Sequence, residues 1–203
     1  MAVIRPFECV RPQAEKAERV AALPYDVYNR EEACREVARE PLSFLKIDRA
    51  ETQFDSSVDT YAPEVYAKAK ELLENAIADG TFVKDSDQAY YIYELTMDGR
   101  VQTGLVACAS IDDYESNVIK KHENTRADKE LDRITHVDTC NAQTGPIFLA
   151  YRANAVINGE IDKAKKNSSL YNFVSPDGVR HQVWKISEPQ SVKAIRGAFE
   201  GIS

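Results

Sequence analysis

The alternation of apolar and polar residues predicts β-strands near the start, the middle and the end of the chain. The segment "AVIRPFECVRP" alternates weakly and is closed by Pro12, which indicates a short strand followed by a turn. The run "AYYIYELTMDGRVQTGLVACASI" contains two strand-like stretches joined at Asp98 and Gly99, a dipeptide that tolerates the positive φ of a tight hairpin. The run "SLYNFVSPDGVRHQVWKI" predicts a second hairpin that turns at residues 176–178. The apolar runs "SFLKI" and "PIFLAY" predict two further, buried strands.

Helical periodicity separates these strands. "NREEACREVARE" has Asn29 as a helix cap and ends before Pro41, because the residue before a proline is disfavoured in the α conformation. "DSSVDTYAPEVYAKAKELLENAIADG" ends at Gly80 and predicts a helix with an apolar face formed by Val65, Ala69, Leu72, Leu73, Ala76 and Ile77. A short polar helix is predicted in "NGEIDKAKKN", and a final helix over residues 188–199 should pack Val192, Ile195 and Phe199.

These elements predict the α+β class, with a mixed, mostly antiparallel sheet, β-hairpins and flanking helices. Hairpins exclude an all-parallel sheet, and the strands are too many for a helical bundle. A chain of 203 residues is long enough to bury a core, so we expect a single domain over residues 1–203.

The net charge and the composition of the chain limit the classes of partner that it can bind. The net charge of −7 argues against nucleic acid as a partner and implies that any anion site is local. "MAVIRPFECV" lacks the apolar core of a signal peptide, and no apolar run is long enough to cross a membrane, so we expect a cytoplasmic protein without membrane contact. The cysteines show no metal-binding spacing and are interpreted as scattered reduced thiols: Cys9, Cys34, Cys108 and Cys140.

The stretch "IKKHENTRADKELDRITH", residues 119–136, concentrates the candidate chemistry. It holds five of the Lys and Arg residues and two of the three histidines, interleaved with carboxylates. If residues 126 to about 140 are helical, Leu131, Ile134 and Val137 should face the core. A second face should then carry side chains at i, i+4 and i+8, namely Asp128, Asp132 and His136.

Two interpretations of this stretch stay open. One is a surface helix of solvated ion pairs, each of which contributes only about 0.3–0.5 kcal/mol. The other is a phosphate site, because "KKHE" places cations just before a helix N-terminus, which itself favours anions. The carboxylates of Glu123, Asp128 and Asp132 would suit Mg²⁺, which prefers one or two carboxylates together with phosphate oxygens.

A second candidate is the loop "ALPYDVYNREE". It is explained either as an N-capping turn with Tyr25 packed or as a loop that places Tyr25 and Asp26 in a cleft. No P-loop, dinucleotide-binding or hydrolase-elbow motif occurs in the chain.

The chain resembles the bacterial and archaeal family of the domain of unknown function 1015. The resemblance rests on successive blocks that run in order over nearly the whole chain: "RPFECVRP", "VAALPYDVYN", "EPLSFLKIDR", "GRVQTGLVACASIDDYESNVIKKHENTRADKELDRITHVDTCNAQTGPIFLAY" and "DGVRHQVWKI". Members are typically about twice as long and continue with a D-G-H-H-R block, which this sequence does not contain. The resemblance therefore implies an N-terminal fragment or truncated member that is catalytically incomplete, and we expect self-association through the face that the missing part would cover.

That block is similar to one in the ParB/sulfiredoxin-like kinases of free L-serine, and relatives often sit beside genes of serine biosynthesis. The resemblance thus implies a nucleotide-dependent kinase that uses ATP or ADP with Mg²⁺. The expected bases are His122 and Glu123, and the expected metal ligands are Asp128 and Asp132. The expected substrate and phosphate contacts are Lys120, Lys121, Arg126, Lys129, Arg133, His136, Tyr25 and Asp26. The alternative is a non-catalytic nucleotide-binding regulator or interaction module.

Overall fold

The computed structural model describes residues 2–121 and 125–202, and these residues form eight β-strands and eight α-helices. The strands are β1 (Ile4–Arg5), β2 (Val10–Pro12), β3 (Phe82–Lys84), β4 (Tyr90–Met97), β5 (Arg100–Val106), β6 (Cys108–Ala109), β7 (Tyr171–Val174) and β8 (Arg180–Ile186). The helices are α1 (Ala17–Val20), α2 (Arg30–Arg39), α3 (Leu45–Asp48), α4 (Pro63–Ala78), α5 (Ile111–Glu115), α6 (Ala127–Cys140), α7 (Ala155–Ala164) and α8 (Pro189–Glu200). Within the described ranges, no helix has the length and apolar character required to span a membrane.

The chain divides into two compact units. Unit 1 contains residues 2–14, 84–121 and 149–202 of the described chain, and unit 2 contains residues 15–83 and 125–148. Unit 1 carries the large sheet, and unit 2 is built mainly from helices.

The large sheet of unit 1 has the strand order β5-β4-β8-β7, and every neighbouring pair is antiparallel. Asp98 (φ 50°) and Gly99 (φ 77°) form the turn between β4 and β5. Gly178 (φ 83°) lies in the turn between β7 and β8. Both predicted hairpins are therefore confirmed, and the α+β class with a mostly antiparallel sheet is confirmed with them.

The core of unit 1 lies between this sheet and the helices α7 and α8. Ile92 of β4, Ile157 of α7 and Ile195 of α8 are fully buried in one apolar cluster. The predicted final helix is confirmed, since Ile195 and Phe199 are buried and Val192 packs against the same cluster.

Unit 2 is organised around α2, α4 and α6. The Asn29 side chain accepts a hydrogen bond from the Glu32 backbone N–H (2.9 Å), and the Glu32 carboxylate accepts one from the Asn29 N–H (2.8 Å). This reciprocal cap confirms the predicted start of α2. The predicted apolar face of α4 is largely confirmed, because Val65, Ala69 and Leu73 are buried in the core of the unit, as is Ala76, whereas Ile77 is exposed.

The prediction of a strand at "SFLKI" is wrong. The segment contains α3, and Leu45 and Ile47 are both buried in it. The Ser43 hydroxyl accepts a hydrogen bond from the Leu45 N–H (3.3 Å), although the N-cap residue of α3 is Phe44, which makes no side-chain cap. A short apolar run does not distinguish a buried strand from a buried helical turn.

The prediction of a buried strand at "PIFLAY" is also wrong. Residues 146–151 form no regular element, and Ile147 and Phe148 are 71% and 79% exposed. A strand needs a neighbour for its backbone hydrogen bonds, and no strand in the described part of the chain pairs with this segment.

The helix α6 confirms the predicted helix, but its faces are the reverse of those predicted. Leu131 and Ile134, which were expected in the core, are 65% and 58% exposed, and Val137 is half-buried. Asp132 and His136 are buried instead, with exposures of 8% and 3%. The hydrophobic pattern alone predicts the wrong buried face for this helix, because the polar residues of the helix have specific partners inside unit 2.

Two glycines of unit 1 should respond in opposite ways to the same substitution. Gly99→Ala should lower the free energy of unfolding by about 1 kcal/mol, because alanine is strained at positive φ. Gly159→Ala should raise it by about 0.5–1 kcal/mol, because Gly159 lies inside α7 with open space at its Cβ position. Urea denaturation of both variants checks the signs, and a stabilised Gly99→Ala would contradict the hairpin turn.

Candidate functional site

A cleft of about 560 Å³ lies in unit 2. One wall is α6 with the residue that caps it, and this wall contributes five of the side chains singled out in the sequence, which are Arg126 at the cap and Lys129, Asp132, Arg133 and His136 in the helix. The facing residues come from the loop at 25–28, the segment at 48–51 and the start of α4. Small-molecule sites commonly fall between about 300 and 1,000 Å³, so the cleft is large enough for a ligand of nucleotide size.

Arg49 holds the loop at 25–28 in place. Its Nη1 atom donates hydrogen bonds to the backbone carbonyls of Tyr25 (2.9 Å) and Tyr28 (2.7 Å). Its Nε atom pairs with the carboxylate of Glu51, a residue that is almost fully buried. The buried carboxylate of Glu51 and the guanidinium of Arg49 satisfy one another. Because the same guanidinium also binds two carbonyls of the loop, the loop has a defined position beside the cleft.

Arg30 does the same for the segment that leads to α4. Its Nη1 donates to the carbonyl of Val58 (2.7 Å), and its Nη2 donates to that of Asp55 (2.9 Å). The loop at 25–28 and the segment that precedes the cleft residues Thr60 and Tyr61 are thus tied through backbone atoms to two arginines.

Asp132 is the most constrained group of the α6 wall. One carboxylate oxygen accepts a hydrogen bond from the Tyr66 hydroxyl (2.9 Å). The other accepts two from the Arg133 guanidinium, at 2.9 and 3.1 Å. Burial and this hydrogen bond raise the pKa of Tyr66, so the phenol remains a donor at neutral pH. The guanidinium of Arg133 also lies over the ring of Tyr25, 4.2 Å from its centroid, which is the geometry of a cation–π contact.

Two further cations lie along the same helix. The ammonium of Lys129 donates to the Tyr61 hydroxyl (3.0 Å), and this contact raises the pKa of the lysine. Arg126 precedes the first turn of α6 and pairs with Asp128 at 2.8 Å, where both side chains are exposed. Lys129 therefore stays charged beside the cleft, while the Arg126–Asp128 pair is a solvated contact of small energy.

The inner part of the cleft contains His136 and Asp48. The His136 Nε2 lies 3.1 Å from the carbonyl of Ile47, which can only accept, so Nε2 carries a proton. The Asp48 Oδ1 is buried and has no hydrogen-bond partner among the described residues. Burial raises the pKa of Asp48, and the charges of His136 and Arg133 offset part of that effect, as does a hydrogen bond from Thr144.

The structure gathers part of the predicted site in this cleft. Seven of the predicted residues line it: Tyr25, Asp26, Arg126, Lys129, Asp132, Arg133 and His136. Asp128 does not line it. Lys120 and Lys121 belong to unit 1, where Lys120 donates to the Asn117 carbonyl (2.6 Å) and Lys121 lies over the Tyr114 ring. His122 and Glu123 lie outside the described residues.

Several residues of the cleft were missed by the sequence analysis. They are Tyr28, Asp48, Arg49, Glu51, Tyr61 and Tyr66. The available signal was the charged cluster that directly follows the buried run "SFLKI", since Asp48, Arg49 and Glu51 come within four residues of it. The tyrosines carried no signal, because tyrosine on a helix or loop is usually a packing residue.

The described carboxylates do not form a ready metal site. Both oxygens of Asp132 are engaged by Tyr66 and Arg133, and Asp128 is paired with Arg126. Across residues 2–121 and 125–202, no group of three or more His, Cys, Asp or Glu side chains is placed to hold a metal ion. Mg²⁺ at Asp128 or Asp132 stays a prediction that requires one of these ion pairs to open.

Comparison with known proteins identifies the family of the chain. A family model described as "Protein of unknown function (DUF1015)" matches residues 4–203. No curated protein and no solved structure matches the chain.

The Asp48 carboxyl should make stability depend on pH in a defined direction. Its pKa is higher in the folded state than in the unfolded chain, so its contribution to stability falls as pH rises from about 4 through the raised pKa. Asp48→Asn should therefore raise the free energy of unfolding at pH 7, by on the order of 1 kcal/mol, and flatten its decline between pH 4.5 and 7. Asp26→Asn, at an exposed position of the same cleft, is the matched control.

Urea denaturation of the parent and both variants at the two pH values checks this result. A less stable Asp48→Asn variant with the parental pH dependence would show that the carboxylate is satisfied in the folded protein.

Proposed function

We propose that this chain, which belongs to the DUF1015 family of proteins of unknown function, is a nucleotide-dependent kinase of a small hydroxy compound such as free L-serine. The observation that carries the proposal is the α6 wall of the cleft. It presents Lys129 and Arg133 beside the rings of Tyr61 and Tyr25 in a chain whose net charge is −7. Cations that are concentrated in one cleft favour the binding of a small anionic ligand there. The negative net charge of the protein does not favour a general attraction of polyanions to its surface.

The chemistry of the wall fits a phosphate chain. Phosphoryl transfer needs positive charge on the equatorial oxygens of the transferred group and on the leaving group. Lys129 can donate to such oxygens while it stays in contact with Tyr61, because an ammonium has three donors. Arg133 uses two N–H groups on Asp132, and a guanidinium has five.

The proposed reaction is the transfer of the terminal phosphoryl group of ATP or ADP to a hydroxyl oxygen. A new P–O bond to the acceptor forms while the P–O bond to the nucleotide breaks, and the hydroxyl proton is released to a base. His122 and Glu123 stay the predicted bases, with Mg²⁺ as the predicted metal. The similarity to ParB/sulfiredoxin-like kinases, a cytoplasmic location and self-association also stay predictions.

The alternative is a non-catalytic nucleotide-binding module. The observation that favours it is the saturation of Asp132, whose two oxygens already accept hydrogen bonds from the protein. A cleft with cations but without a free metal-binding carboxylate on α6 would bind a nucleotide without turning it over.

Lys129→Ala should weaken ATP binding roughly tenfold, because a charge-assisted hydrogen bond contributes about 1.5–3 kcal/mol. The thermal stability should change little, since exposed charge contacts contribute about 1 kcal/mol or less. Lys70→Ala is the matched control, because Lys70 is an exposed cation on α4 that does not line the cleft. Titration calorimetry with ATP and with ADP measures both variants. Equal affinities for the parent and Lys129→Ala would contradict a phosphate site on α6.

The proposed kinase and the alternative nucleotide-binding module differ in whether the bound nucleotide is turned over. Incubation with Mg²⁺, ATP or ADP, and L-serine should yield O-phosphoserine, and Lys129→Ala should reduce the rate as it reduces the affinity. Mass spectrometry of the products, with a panel of amino acids and small alcohols in place of serine, measures the reaction. Nucleotide binding without phosphorylation of any acceptor would overturn the kinase and support the module.

A further inference from the structure

We infer that Asp48 is the hydroxyl-recognising group of the unit 2 cleft, and that it accepts a hydrogen bond from a hydroxyl of the ligand whose phosphate lies on α6. The inference rests on the proposed function, because it concerns a second contact of the same ligand or of its phosphoryl acceptor. It adds a residue and a chemical class, an aliphatic hydroxyl, to a site that was otherwise defined only by its cations.

The first ground is the position of Asp48. It lines the same cleft as Arg126, Lys129 and Arg133, and its carboxyl interacts electrostatically with His136 and Arg133. A helix rises about 1.5 Å per residue, so Arg126 and His136 are separated by about 15 Å along α6. Asp48 therefore belongs to the end of the cleft opposite Arg126, and the space between the two ends exceeds what a single phosphate would occupy.

The second ground is the state of its oxygens. The Asp48 Oδ1 is buried and lacks a hydrogen-bond partner within the described chain. In the ionised carboxyl both oxygens only accept, so the missing partner of Oδ1 must be a donor. The other carboxylates beside it differ in this respect, because Asp132 has both oxygens engaged and Glu51 is paired with Arg49.

The third ground is the fixed backbone around it. Asp48 ends α3, and Arg49, the next residue, is held by the carbonyls of Tyr25 and Tyr28. The carbonyl of the preceding Ile47 accepts from His136. With both neighbours tied by hydrogen bonds, the backbone of Asp48 is held in place. Thr144 is a protein donor to its carboxyl, and a ligand hydroxyl can supply the bond that Oδ1 lacks.

An aliphatic hydroxyl has two sources in the proposed reaction, the ribose of the nucleotide and the acceptor alcohol. Calorimetry with matched ligand pairs separates them. One pair is ATP and 2′,3′-dideoxy-ATP, which lacks both ribose hydroxyls, and the other is L-serine and L-alanine. Each pair is measured with the parent, with Asp48→Asn and with Asp138→Asn, the matched change at an exposed position of α6 that does not line the cleft.

The parent should bind the hydroxyl-bearing member of one pair roughly tenfold more tightly, which is the effect expected for a hydrogen bond to a charged group. Asp48→Asn should reduce this preference to about threefold or less, since the bond then has a neutral acceptor, and Asp138→Asn should keep it. Asp48→Ala, which has no acceptor, should abolish the preference and serves as the second variant.

Two failures are distinguishable. If ATP and ADP do not bind the parent at all, the proposed function is wrong and the inference falls with it. If ATP binds but neither pair shows a preference, or if the preference survives in Asp48→Asn and Asp48→Ala, the cleft binds phosphate and the role of Asp48 is overturned. A preference in the nucleotide pair alone identifies the ribose, and one in the amino-acid pair identifies the acceptor.

Discussion

The buried carboxylate of Asp132 is the constraint on which unit 2 depends. Removing a charge from water is strongly unfavourable unless hydrogen bonds and an opposite charge replace the hydration, and Tyr66 and Arg133 provide both. To keep these partners, α6 turns its polar stripe inward and leaves Leu131 and Ile134 exposed. The same orientation of α6 brings Lys129 and His136 to the cleft, because they lie one turn away on either side of Asp132.

The sequence was sufficient to predict the turns and helix caps that are formed by residues close to one another in the chain. The turn at Asp98 and Gly99 and the cap at Asn29 act through atoms within a few residues, so a single sequence displays them. The elements that failed depend on distant partners. "PIFLAY" has strand-like composition but no neighbouring strand in the described chain, and the orientation of α6 is decided by Tyr66, which is 66 residues away from Asp132.

The candidate site shows the same contrast between positions set by local helical spacing and positions set by distant parts of the chain. Helical spacing placed Asp128, Asp132 and His136 on one face of α6, and the structure brings Asp132 and His136 of these to the cleft, whereas Asp128 does not line it. The opposite wall of the cleft comes from segments that are remote in the chain, and nothing in a single sequence states that they meet α6. The charged run at 119–136 also proved to be divided, since its first lysines belong to unit 1 and its helix to unit 2.

The two arginines that hold the loops of the cleft do so through main-chain carbonyls rather than side chains. Arg49 binds the carbonyls of Tyr25 and Tyr28, and Arg30 binds those of Asp55 and Val58. Every residue type offers the same carbonyl, so a substitution in the cleft-lining loop at 25–28 can change the chemistry presented to a ligand without loosening the loop. Recognition and architecture are therefore separable at this loop, because its side chains can change while Arg49 keeps its main chain in place.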